Sequence, residues 1–294
     1  MTLLIRPLAL GFCLVACGPA AAQPQPTTGS VPSADGVLIE YEVHGEGEPA
    51  LVLIPGWTNP RQIYGRHPET LGRSHRVVAL DLAGHGVSGT DREEWTIDAF
   101  GEDVVSVVDH LCLGKVVLVG FSMGGAVAFE AAERMPERTL GIVLVDAMHD
   151  PDQGPPGDPD EMLATFRANW GNPEFLRAFG FTPDAPDSLV EYVEALYPPE
   201  PPEYFFETFR NIGDWIVTER TATLERNQKP VAAINTTRRP TDVEAWRRYA
   251  PSFTVDTLDG VGHAGILLQR VDDFDARLLS IVERFSMAMA GSPD

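Results

Sequence analysis

Basic side chains are scarce: 22 Lys and Arg stand against 43 Asp and Glu, a formal net charge of -21 over 294 residues. That balance excludes nucleic acid as a partner, because neutralising phosphates needs clustered cations, and it disfavours a polybasic membrane contact. Cysteine is equally sparse. Of three, Cys13 and Cys17 stand at the start of the chain, leaving Cys112 and no disulfide framework for the body. Cys112 lies between Leu111 and Leu113 and is expected to be a small buried hydrophobe. The apolar runs are too short and scattered for a multi-span membrane protein. No H-E-x-x-H, cysteine pair, phosphate loop or dinucleotide fingerprint occurs, so neither a metal nor a cofactor is expected. What is present is a hydrophobic fraction of 44%, enough for a sizeable core.

The first 22 residues read as an export signal, with Arg6 as a weak positive region and Leu8 to Ala16 as the apolar segment. Leu14-Val15-Ala16-Cys17 resembles the bacterial lipobox and makes a lipid anchor at Cys17 the preferred expectation. Cleavage after Ala20-Ala21-Ala22, giving a freely secreted or periplasmic product, is the alternative. Residues 23–33, rich in Pro, Gln, Thr and Ser, are expected to form a flexible tether.

From Gly36 onward apolar runs alternate with amphipathic stretches, the pattern of a mainly parallel sheet covered by helices. Strands are expected at Val37–Val43, Ala50–Ile54, Val77–Leu80, Val116–Val119, Ile142–Val145, Val231–Ile234 and Phe253–Leu258. The alternation lapses for about eighty residues, too long for a simple connection, and residues 147–227 are therefore expected to be an inserted helical lid. The expected core is then 34–146 with 228–290. In such sheets ligands bind beyond the carboxyl ends of the strands, so chemistry is to be sought in the loops there.

Gly120-Phe121-Ser122-Met123-Gly124 follows one of these strands and opens a helix-like stretch. A serine between glycines at a strand-to-helix turn is the arrangement of a nucleophile elbow: the turn is too tight for larger flanking residues, and the helix N-terminus favours developing negative charge. With Asp81-Leu82-Ala83-Gly84-His85-Gly86-Val87-Ser88-Gly89, which resembles the D-x-x-G-H-G-x-S loop, this makes the chain resemble the α/β-hydrolase superfamily from about Val37 to Phe285. The resemblance implies an eight-stranded, mostly parallel sheet flanked by helices, bearing a lid. It also implies that Ser122 is the nucleophile and that His263, in Gly262-His263 after the last strand, is the general base. His85, between glycines in a tight turn, is read as architectural.

The acid is less obvious. After Ile234, where many members of the superfamily carry an Asp, the chain reads Asn235-Thr236-Thr237-Arg238-Arg239-Pro240-Thr241-Asp242. Asp146, at the end of the strand after the elbow, resembles the placement in some haloalkane dehalogenases and is preferred, with Asp242 and Asp150 as alternatives. The oxyanion donors are expected to be the Met123 amide and, from Ile54-Pro55-Gly56-Trp57, the amide of Trp57. These expectations describe a serine hydrolase acting on a small, apolar carboxylic ester or lactone. Carbon–carbon bond hydrolysis, peracid formation and non-catalytic ligand binding are the competing readings of the same residues.

Overall fold

The computed structural model describes residues 25–155 and 157–290. The signal segment and the Cys17 anchor lie outside the described residues.

The sheet has eight strands: β1 (Thr27–Pro32), β2 (Leu38–His44), β3 (Ala50–Ile54), β4 (Val77–Leu80), β5 (Val116–Phe121), β6 (Thr139–Val145), β7 (Val231–Thr236) and β8 (Thr254–Leu258). Their spatial order is β1-β2-β4-β3-β5-β6-β7-β8. β1 and β2 are antiparallel to their neighbours, and every pair from β4 to β8 is parallel. The central strands β3, β4, β5 and β6 are buried along their whole length, which is why they read as continuous apolar runs rather than as alternation.

Six helices belong to the sheet's own crossovers and closure: α1 (His67–Leu71), α2 (Ile97–His110), α3 (Met123–Arg134), α9 (Val243–Tyr249), α10 (Gly265–Leu268) and α11 (Val271–Ala290). Five more, α4 (Pro159–Ala168), α5 (Pro173–Gly180), α6 (Asp187–Glu194), α7 (Glu203–Thr218) and α8 (Arg220–Arg226), are inserted between β6 and β7. Two apolar clusters, one on each face of the sheet, form the core.

Two sequence expectations need correction. Residues 27–32, read as part of a tether, form the edge strand β1, paired residue for residue with β2 from Thr27 opposite Val43 to Pro32 opposite Leu38. An edge strand needs backbone partners more than an apolar face, and Val31 alone of the six is buried; composition therefore concealed it. The next turn is fastened as well, since Ser33 Oγ donates to buried Asp103 at 2.6 Å. Cys112, expected to be buried, is exposed. It occupies a left-handed position (φ 48°) just past α2, where Leu113 N donates to Val108 O and Cys112 N to Asp109 O. This Schellman-type cap turns the thiol outward and carries Leu113 into the core.

Candidate active site

β5 delivers Ser122 and α3 begins immediately after it, so the serine is the residue at which strand becomes helix. Its backbone is forced to φ 53°, ψ -118°, a region that costs a non-glycine residue roughly 1–3 kcal/mol. The flanking glycines explain how the turn closes. A Cβ on Gly120 would stand 2.2 Å from Gly124 O, and one on Gly124 would stand 2.3 Å from Ile54 O. Neither obstacle is a side chain that can move aside.

Asp146 ends β6 and His263 follows β8, and the two meet beyond the carboxyl ends of the strands: His263 Nδ1 donates to Asp146 Oδ2 at 2.7 Å. The other carboxylate oxygen accepts the Thr236 N–H at 2.9 Å and lies 3.3 Å from His149 Nε2. Burial alone would raise the Asp146 carboxyl, yet the two imidazoles and the Thr236 amide outweigh it and hold the group well below the usual carboxylate range. The carboxylate is therefore ionised and bonded to the Nδ1 edge of the imidazole. Ser122 and His263 line that cavity together.

The alternative acids lie elsewhere. Asp242 caps α9, accepting the Ala245 N–H at 2.8 Å, and Asp150 closes its own turn by accepting the Asp152 N–H at 2.9 Å. Neither touches His263. His85 is fully buried, with Nδ1 2.9 Å from Ala83 O, and burial pushes its pKa down to about 4. It packs against Phe100 and Phe205, outside the cavity lining.

Met123 is the first residue of α3, so its amide has no partner within the helix. Among the described residues neither that amide nor the Trp57 amide meets an acceptor on the protein. The Trp57 ring serves two purposes. It lines the cavity, and it packs beneath the insertion, donating from Nε1 to Phe205 O at 2.7 Å with Phe166 and Phe209 against its faces.

The cavity, about 760 Å³ including its open mouth, lies between the strand ends and the insertion. Phe166, Trp170, Phe175 and Phe179 supply its aromatic wall, and Thr58, Asn59, Asn169 and Tyr197 are its polar groups. Asn59 stands close to Ser122: a Cβ on Gly56 would be 3.1 Å from Ser122 Cβ and 3.2 Å from Asn59 Oδ1. Sequence reasoning passed over Asn59 and Tyr197, because an Asn in a loop and a Tyr in an insertion carry no pattern of their own. His149 likewise stands in no motif of its own. The sole available signal was its place three residues after Asp146. No cluster suited to a metal ion occurs among the described residues.

Over residues 51–277 the sequence matches the family model described as the alpha/beta hydrolase family. The chain belongs to that family. Human serine hydrolase BPHL is 33% identical over 149 residues, 49% of this chain and 51% of that protein. The matched stretches span between 28% and 51% of the lengths of four curated relatives, so whole-protein activities do not transfer directly. Among solved α/β hydrolases, an esterase from Exiguobacterium antarcticum superposes with a TM-score of 0.75 at 20% identity, covering 86% of this chain and 98% of that one. Est816, described as an N-acyl homoserine lactone degrading enzyme, gives 0.71 at 22% identity, covering 86% and 99%. At those identities the likeness establishes the shared fold alone.

Proposed function

We propose that this α/β hydrolase is a serine esterase or lactonase in which Ser122, His263 and Asp146 form the catalytic triad. The observation that carries the reading is the 2.7 Å bond from His263 Nδ1 to a carboxylate held ionised, with His263 and the strained Ser122 lining one cavity. With Nδ1 protonated, Nε2 is the free base of the ring. It takes the Ser122 proton as Oγ attacks the substrate carbonyl carbon, and the carbonyl electron pair moves onto oxygen. The Met123 and Trp57 amides receive that oxyanion. Collapse expels the alkoxide, which takes the proton from His263, and a water activated by the same imidazole then releases the acid and frees Ser122. In a lactone the alkoxide and the acyl group belong to one molecule, and the steps are unchanged. The aromatic wall suits an apolar acyl or alkyl portion, with the few polar groups left to orient it.

The reading is tested by hydrolysis of a p-nitrophenyl ester series of increasing chain length, with acyl lactones assayed in parallel. Wild type should turn over at least one series, and Ser122→Ala should lose about 10⁴-fold or more while keeping its fold. A folded wild type that cleaves no ester or lactone and takes no fluorophosphonate label would remove this reading and bring ligand binding forward.

A further inference from the structure

Asp146 faces two imidazoles, and the triad uses only one. Asp146 and Met148 both have left-handed backbone (φ 44° and 42°), and this double reversal returns His149 to the carboxylate three residues earlier. Its Nε2 lies 3.3 Å from Asp146 Oδ1, with the imidazole 12% exposed. The other ring nitrogen, Nδ1, is buried and among the described residues has no hydrogen-bond partner, so among them Asp146 is the polar side chain that the ring addresses. The loop is fixed independently of that contact. His149 O accepts the Asp242 N–H at 2.8 Å, and Met148 O accepts Trp246 Nε1 at 2.8 Å. Backbone bonds therefore hold the imidazole where it is, leaving the ring free to act on the acid.

A hydrogen on Nε2 is attracted to a carboxylate oxygen at 3.3 Å, whereas a lone pair there would be repelled. With hydrogen on Nε2, His149 joins the Thr236 amide in drawing negative charge toward Oδ1. Charge drawn toward Oδ1 is withdrawn from Oδ2, the oxygen that steadies the protonated form of His263. We propose that His149 is a positioning residue that acts on His263 through Asp146: it fixes the carboxylate and keeps the general base unprotonated to lower pH than a single-histidine acid would. This rests on the triad reading above. The other charged groups on the surrounding elements are Asp150 and Asp152 on the same loop, Arg220 of α8, which faces Asp150 electrostatically, Asp242, Glu244, Arg247 and Arg248 at and on α9, of which Arg248 pairs with Asp152, and Arg238 after β7. A substitution at His149 alone leaves all of them in place.

The test compares His149→Phe, which keeps a ring without a donor, and His149→Gln, which restores an N–H near the Nε2 position. Two readouts are followed, the acidic limb of kcat/KM against pH and the titration of His263 in ¹⁵N-histidine-labelled, substrate-free enzyme. The Phe variant should move both midpoints upward together by roughly half to one pH unit, and the Gln variant should return them to within about 0.2 of wild type. Midpoints unchanged in a folded Phe variant overturn the proposal. So does an Nδ1–H tautomer for His149 in wild type at pH 8, which is decisive even if the Phe variant does not fold. Because the NMR titration needs no substrate, an enzyme inactive on esters that still shows the shift separates failure of the esterase reading from failure of this one.

Discussion

α3 follows Ser122 directly and α4 carries Phe166 into the cavity wall, and the two helices are built in opposite ways. α3 buries ten of its twelve residues, whereas α4 of the insertion buries one of ten. Around α3 the backbone is held against the strand ends so tightly that glycines are obligatory. Around α4 the contacts are aromatic edges at centroid spacings of 5.0–5.8 Å and exposed ion pairs such as Arg167 with Glu203, which contribute little each. Ser122 is thus placed where the backbone is packed without slack, and α4, which helps shape the cavity, where side chains have room to repack.

That contrast is sharpest in activity. Asp146→Asn should cost about 10³–10⁴ in kcat, since an amide cannot hold the imidazole in the right tautomer, while Asp242→Asn should leave kcat/KM within about twofold. Equal losses from the two would place the acid wrongly. Glycine substitutions carry the contrast into stability. Gly124→Ala drives a Cβ onto Ile54 O and should destabilise by about 3 kcal/mol in urea unfolding. Gly213→Ala, inside α7 with nothing nearer its Cβ than Pro159 Cγ at 3.9 Å, should instead stabilise by about 0.5–1 kcal/mol. If both were neutral, the difference in packing would have no energetic meaning.

His85 extends the comparison to pH. Unfolded, it binds a proton near its ordinary value of 6.5, whereas in the folded core it does so only near 4. The unfolded chain therefore carries the extra proton between those values, and stability falls as pH drops through that window. The loss is about 3 kcal/mol between pH 7 and pH 4, and the pH dependence of urea unfolding in His85→Gln should lack it. The smallest effect belongs to the insertion. Phe166→Ala, which strips a ring from Trp57, Phe175, Phe179 and Phe209, should shift the preferred ester chain length and raise KM by about tenfold with kcat little changed. A collapse of kcat would mean that the insertion also positions the nucleophile.

How much of this the sequence disclosed follows the same division. β3 and β4 were legible to the residue, because a strand buried on both faces must be apolar throughout. Ser122 was legible because the geometry of its turn dictates glycine on each side. β1 was hidden, since pairing at an edge is made by backbone groups that every residue possesses. The double reversal that brings His149 onto Asp146 was hidden too: it occurs at Asp146 and Met148, neither a glycine, so nothing in the residue types marks it. Within the insertion, which rings face the cavity depends on how five helices lean on one another, and residue types alone do not disclose it.

The insertion itself divides at Glu130, a buried carboxylate on α3 that accepts Trp215 Nε1 of α7 at 2.8 Å and Thr223 Oγ1 of α8 at 3.2 Å. α7 is pinned at two further points, Asn211 to Trp95 O and Tyr204 to Gly84 O. The opposite side of the insertion is fastened too, Gly180 O at the end of α5 accepting the Ala264 N–H at 2.8 Å and Gln62 O accepting the Tyr192 hydroxyl of α6 at 2.6 Å. The insertion is thus tied to the core on both sides of the cavity, and α4, with one buried residue in ten, is the part of the wall whose side chains have most room to rearrange around a bulky molecule.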